Sequence, residues 1–234
     1  MPEDPVLELQ ELVESLSAWL RYQRRLGWRG LPGQVAAPPR EETEPAEKIL
    51  TLEEVRAAMG DCRRCKLYAG RTNLVFGEGD PNARLMFVGE APGAEEDQQG
   101  LPFVGAAGQL LNKLLSKLGL RREEVYIANI VKSRPPNNRD PEPDEIAACL
   151  PFLEMQIKAI RPRVIVALGR IAVHALLGTK GPLTRLRGHW QRYRDTRVMP
   201  TFHPSYLLRA PQERHKTWAD MQQVMEYLAA DEDH

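Results

Sequence analysis

Two short segments carry the residue types that could do chemistry together: Gly89-Glu90-Ala91-Pro92-Gly93 and His203-Pro204-Ser205-Tyr206-Leu207-Leu208-Arg209. Each leaves the end of an apolar, strand-like run, Leu85-Met86-Phe87-Val88 for the first and Val198-Met199-Pro200-Thr201-Phe202 for the second. Ligands of open α/β sheets bind outside the carboxyl ends of the strands, so the two loops are expected to converge on one cleft. The first supplies a carboxylate on a glycine-lined turn that lets a ligand approach the backbone. The second supplies an imidazole on a proline-stiffened, partly basic loop. That is equipment for chemistry as well as for binding.

Other candidates lie around these loops. Gly100-Leu101-Pro102-Phe103-Val104-Gly105 places an aromatic ring between glycines directly before a helix. Asn129 stands near the end of the apolar run that begins at Val125, and its amide can both donate and accept, which suits it to reading the edge of a base. Cys62-Arg63-Arg64-Cys65 has metal-ligand spacing, whereas Cys149 sits far along the chain inside a helical pattern. Two near thiols and one distant thiol make an incomplete set, because zinc and iron–sulfur centres normally have four ligands. Each feature also has a plainer reading: an ordinary turn at Gly89–Gly93, a core ring at Phe103, a turn cap at Asn129 and three unrelated cysteines.

The elements that must position these residues follow from periodicity. Strands are predicted at Leu85–Val88, Val125–Ile130, Val164–Leu168 and Val198–Phe202, and helices at Gly108–Leu118, Asp144–Ile160, Ile171–Leu177 and from about Glu213 to Leu228. Strands alternating with helices imply a three-layer α/β/α fold around a central four-stranded, mainly parallel sheet. Thr51-Leu52-Glu53-Glu54 reads as a capping box opening a short helix that ends near Cys62. Ahead of it, Val6, Leu9, Leu12, Val13, Leu16, Trp19 and Leu20 share one helical face, and the Pro-, Gly- and Glu-rich stretch that follows reads as a flexible linker. The organisation expected is thus an N-terminal amphipathic helix over residues 1–26, a linker over 27–50 and one folded domain over 51–234. The helix is a candidate docking element for a protein partner.

Composition narrows the function classes. The 32 basic and 32 acidic residues of the 234 cancel, but Arg161 to Lys216 holds twelve Lys and Arg against Asp195 and Glu213 alone. A basic bias around the histidine loop points to a polyanionic substrate. No apolar run approaches the ~20 residues needed to span a bilayer, and Met1–Trp19 is acidic where a signal peptide is basic. A cytoplasmic, monomeric protein without a disulfide framework or membrane association is expected.

From Cys62 to Tyr227 the chain resembles the family 4, iron–sulfur uracil-DNA glycosylases. The matching segments are Cys62-Arg63-Arg64-Cys65, Val75–Gly79, Gly89–Gly93, Gly100–Gly105, Asn129-Ile130-Val131-Lys132 with Arg134-Pro135-Pro136, and His203–Arg209, all in order. The resemblance implies that uracil is flipped from DNA into a pocket at the strand ends, where its N-glycosidic bond is hydrolysed to leave an abasic site. By position, Gly89 and Phe103 would hold the uracil ring, Phe103 by stacking, and Asn129 would bond its edge. His203 would stabilise charge on its carbonyl oxygen, and Leu207, with Ser205, Leu208 and Arg209 beside it on the DNA, would fill the space the nucleotide leaves.

Two departures qualify the match. The first loop has Ala91 where other uracil glycosylases carry an Asp, as is usual in family 4, so the water-directing carboxylate is Glu90 as first choice, with Glu96 and Asp97 as alternatives. The family's [4Fe–4S] cluster takes four cysteines; Cys62, Cys65 and Cys149 are present, but the fourth position is Ser133, sixteen residues before Cys149. Serine oxygen is a harder ligand than thiolate, so the cluster would have a serine- or water-ligated iron, fall to a three-iron form or be absent. Two rivals remain: a non-catalytic DNA- or partner-binding paralogue, and the covalent-trapping branch of the superfamily. The latter carries an insertion and a histidine that Arg134–Pro141 lacks.

Overall fold

The computed structural model describes residues 49–230 and, ahead of them, residues 13–17, 19–21 and 24–25. The chain divides into two units, Met1–Lys48 and Ile49–His234. In the first, the described residues are helical, with Val13, Leu16, Trp19 and Leu20 exposed. The rest of the predicted helix Val6–Tyr22, and the linker as far as residue 48, lie outside the described residues.

The second unit opens with α1 (Leu52–Met59), capped as its sequence predicts. Thr51 Oγ1 accepts from the Glu54 N–H at 3.2 Å, and Glu54 Oε2 accepts from the Thr51 N–H at 2.8 Å. Then come β1 (Glu78–Gly79), β2 (Leu85–Gly89), α2 (Ala94–Gln99), α3 (Ala106–Lys117), β3 (Tyr126–Asn129), α4 (Pro143–Ile160), β4 (Val164–Leu168) and α5 (Arg170–Leu177). The short α6 (Leu183–Leu186), β5 (Gln191–Tyr193), β6 (Thr196–Thr201), α7 (Pro204–Arg209) and α8 (Arg214–Ala230) complete it.

The sheet has six strands in the order β1-β3-β2-β4-β6-β5, not the four expected. The four predicted strands form its parallel centre; β1 and β5 add antiparallel edges against β3 and β6. Neither edge strand has an apolar run, being two and three residues of half-exposed or polar sequence, so hydrophobic periodicity is silent there.

The central strands are buried on both faces, which is why their sequences run apolar without alternation. Met86, Val88, Ala128, Ile165 and Val198 face a layer with Leu153 and Ile157 of α4 and Val173 and Leu176 of α5. Phe87, Ile127, Val166 and Met199 face the opposite layer, with Leu111 and Leu115 of α3 and Met221 and Val224 of α8. Phe87 is fully buried, and its truncation to alanine would cost about 3–5 kcal/mol. Parallel register sets Gly89 beside Asn129 and Leu168 beside Thr201, so every connection that leaves a central strand does so at one edge.

Candidate active site

At that edge a cleft of about 410 Å³ is lined by Glu90, Phe103, Asn129, His203, Ser205 and Arg209 among others. The two loops singled out by sequence therefore meet. Gly89 is required by close approach: a Cβ there would stand 2.4 Å from Asn129 Oδ1 and 2.5 Å from Phe103 Cζ. Glycine at this strand end lets the ring and the amide sit together.

Phe103 is held in an uncommon conformation, φ +50°, by its surroundings. Gly108 lies so near that a Cβ would be 1.8 Å from the Phe103 carbonyl oxygen, and Arg122 donates to the carbonyls of Phe103 and Pro102. The ring centroid is 5.6 Å from that of His203, leaving two ring systems at the cleft floor. Asn129 is 1% exposed, and its Oδ1 is buried with no hydrogen-bond partner. A buried acceptor without a protein partner is rare, and it marks a point at which the cleft can bond a ligand.

His203 caps α7: its Nδ1 accepts from the Ser205 N–H at 3.1 Å and lies 2.7 Å from Ser205 Oγ. Burial, reinforced by the Arg209 charge, lowers its pKa to about 4, so the ring is neutral at physiological pH. With Nδ1 accepting, the proton resides on Nε2, and that N–H is the ring's donor.

The three candidate carboxylates separate. Glu96 accepts from the N–H groups of Gly93, Val104 and Gly105 at 3.0, 2.9 and 2.9 Å, stapling the two glycine loops together. Asp97 is buried and accepts from the N–H groups of Thr72 and Asn73. Both are engaged by backbone donors, and Glu96 also lines the cleft. Glu90 lines the same cleft, its pKa raised to about 7 by burial and by the Asp140 charge, against a lowering by Arg170.

The expected wedge, Leu207, is turned inward. It is 4% exposed and lines an apolar cavity beside Leu110, Leu114 and Trp218, because the loop folds as a helical turn that directs this position to the core. The apolar side chains that α7 exposes are Tyr206 and Leu208, 39% and 41% accessible. Arg209 is exposed at the cleft. Elsewhere the basic stretch is partly neutralised: Arg170 pairs with Asp140, Arg187 with Asp220, Arg194 with Glu154 and Lys216 with Glu213.

Sequence reasoning missed the wall formed by Asn138, Arg139 and Asp140, which also lines the cleft. Asn137 and Asn138 both adopt φ +54°, and Arg139 anchors the segment to Glu145 at 2.8 and 2.6 Å. Its only advance signal is the turn-forming Pro135-Pro136-Asn137-Asn138.

Away from the cleft, the cysteine positions share one corner. Cys149 is buried, and its Sγ accepts from the Lys132 N–H at 3.3 Å. Arg71 Nη1 donates to Ser133 Oγ at 3.1 Å and to the Cys62 carbonyl at 2.6 Å, and Cys65 packs against the same core as Cys149. Burial raises the Cys149 thiol pKa, with Lys132 opposing and Cys65 and Cys62 adding to the rise. Three soft sulfurs suit iron–sulfur ligation; the fourth position offers a hydroxyl already engaged by a guanidinium. Among the described residues, no three His, Cys, Asp or Glu side chains are gathered into a ready-made metal site.

Residues 76–229 match the family model of the uracil DNA glycosylase superfamily. A type-4 uracil-DNA glycosylase of Thermotoga maritima is 52% identical over 162 residues, 68% of this chain and 83% of the relative. One of Sulfurisphaera tokodaii is 45% identical over 185 residues, 75% and 84% of the two chains. A type-5 enzyme of Pyrobaculum aerophilum is 38% identical over 146 residues, 55% of this chain and 64% of that one. The chain belongs to the uracil-DNA glycosylase superfamily, in its type-4 branch.

Proposed function

We propose that this chain removes uracil from DNA by hydrolysing the bond between the base and deoxyribose. The observation that carries the reading is the buried, unpartnered Oδ1 of Asn129 beside Phe103 at the cleft floor. A flipped uracil stacked on Phe103 presents an N–H donor beside a carbonyl acceptor, which match the amide's Oδ1 and Nδ2. Cytosine presents the reverse pattern and leaves a buried polar group unpaired, the kind of mismatch a polar site rejects strongly.

Bond cleavage leaves negative charge on the departing base. The neutral His203, donating from Nε2, stabilises that charge as it develops, without the cost of desolvating an imidazolium. Glu90 orients water toward the sugar carbon, and a pKa near 7 places it close to the working pH of a base. Leu208 and Tyr206, rather than Leu207, present the apolar surface that replaces the extruded nucleotide, with Arg209 and Ser205 toward the phosphates. Cys62, Cys65 and Cys149 would hold an iron–sulfur cluster, with Ser133 at its fourth corner. Such a cluster would tie the Cys62–Cys65 loop to α4 and β3, and the cleft residues carry the chemistry. A cytoplasmic monomer acting on uracil-containing DNA, with the N-terminal helix as a docking element, completes the reading. It is supported by the basic bias around α7; no described helix is long and apolar enough to cross a membrane.

The test is side-by-side incubation with matched uracil- and cytosine-containing oligonucleotides, following free base. Release of uracil alone is expected, and Asn129→Asp should depress it and narrow the discrimination, because a carboxylate lacks the amide donor. Uracil release at the wild-type rate in Asn129→Asp would remove Asn129 from recognition. No release by the folded wild type would leave the chain a binding module.

A further inference from the structure

Lys132 is 1% exposed, and among the described residues no carboxylate pairs with its ammonium group. Instead Nζ donates to the backbone carbonyl of Asn129 at 2.8 Å and to Gln156 Oε1 at 2.7 Å. Gln156 is fully buried in α4 and fixed in turn, its Nε2 donating to the Phe76 carbonyl at 2.9 Å and to Tyr126 Oη at 3.2 Å. At its other end Lys132 donates its backbone N–H to Cys149 Sγ. An ammonium buried without a counter-charge is costly, and an apolar side chain would fill the space at lower cost.

The sheet explains what that cost secures. The short edge strand β1 reaches only Tyr126 and Ile127 in its ladder with β3, so β1 supplies no donor for the Asn129 carbonyl. Asn129 is the last residue of β3, at the point where the chain leaves the sheet, and its side chain must reach the cleft edge-on. The Lys132 ammonium provides the missing donor three residues later and closes the turn on itself.

We propose that Lys132 is a positioning residue for base recognition: its buried ammonium locks the backbone of Asn129 against α4, so that the amide meets the nucleobase edge in one fixed orientation. The proposal rests on the uracil-excision reading. It makes Gln156 and Tyr126, more remote from the cleft, the anchor of the same device.

The test uses the full chain in a double-mutant cycle. Lys132→Met, Asn129→Ala and the double variant are compared by single-turnover release from a uracil oligonucleotide, with DNA affinity and melting temperature measured beside them. A misplacement of order 1 Å costs up to roughly 100-fold in rate, so Lys132→Met should lose about 10- to 100-fold while DNA affinity is unchanged. If Lys132 acts through Asn129, the loss should vanish in the Asn129→Ala background, because the group it positions is gone. A purely structural role would give the same loss in both backgrounds. Equal losses, or a wild-type rate in Lys132→Met, would overturn the proposal. If Lys132→Met fails to fold, Gln156→Met decides. It removes one partner of the ammonium and should give a smaller loss that Asn129→Ala again absorbs; an additive loss, or none, overturns the proposal. Failure of the functional reading is distinct, since the wild type would then release no uracil at all.

Discussion

The strand-end cleft and the cysteine corner treat their buried polar groups in opposite ways. In the cleft, Asn129 Oδ1 has no partner, and Glu90 is a carboxyl group whose ionisation burial resists. At the corner, Ser133 Oγ, Cys149 Sγ and the Cys62 carbonyl each accept from Arg71 or Lys132. The cleft keeps an acceptor and a carboxyl group available to a ligand; the polar groups of the corner are paired within the protein. Substitutions in the cleft should therefore appear in rate, and substitutions at the corner in stability.

The largest effect is expected at Glu90. Glu90→Gln should lower single-turnover excision by about 10²- to 10⁴-fold, the usual worth of a positioned base. Because the raised pKa leaves Glu90 protonated below about 7, wild-type activity should climb as pH rises through 7 and then level. The glutamine variant should lose that climb. A wild-type profile flat from pH 5 to 9 would take Glu90 out of the mechanism. His203→Ala should cost about 10²- to 10³-fold, with folding and DNA affinity intact, since its N–H acts on charge present mainly in the transition state. With a pKa near 4, its titration should leave the profile above pH 5 untouched.

Ser133→Cys probes the cysteine corner. A fourth thiolate should raise iron and sulfide content, absorbance near 400 nm and melting temperature, with little change in the chemical step. Equal iron and sulfide near zero in both proteins would remove the cluster from the account; a full four-iron cluster in the wild type would make Ser133 or water a sufficient ligand. The smallest effect is expected at Arg209. Its replacement by alanine should lower the log–log salt slope of DNA binding by about one, the share of a single phosphate contact.

What was legible in the sequence follows the same division. The four central strands were readable because burial on both faces leaves continuous apolar runs; Gly89, Asn129 and His203 were readable because they sit at the ends of those runs, and Phe103 because it stands between glycines directly before a helix. The edge strands were not, since two or three polar residues carry no period. The orientation of Leu207 was not, since a helical turn of six residues decides which of Tyr206, Leu207 and Leu208 faces inward, and all three are apolar enough to do so. The roles of Glu96 and Asp97 needed the structure too. Acidic residues in sequence look alike until their backbone donors are known, and only then does Glu90 stand apart. Lys132 and Arg122 were silent because their partners are backbone carbonyls, which every residue possesses, and side chains distant in sequence, Gln156 for the one and Glu78 for the other.

A crystal structure of the chain with free uracil bound tests directly what fills the cleft. The ring should lie on Phe103, with its edge against Asn129 so that Oδ1 gains the partner it lacks, and with a carbonyl oxygen at His203 Nε2. Uracil bound elsewhere, or seated in the cleft with Asn129 Oδ1 still unpaired, would contradict the account.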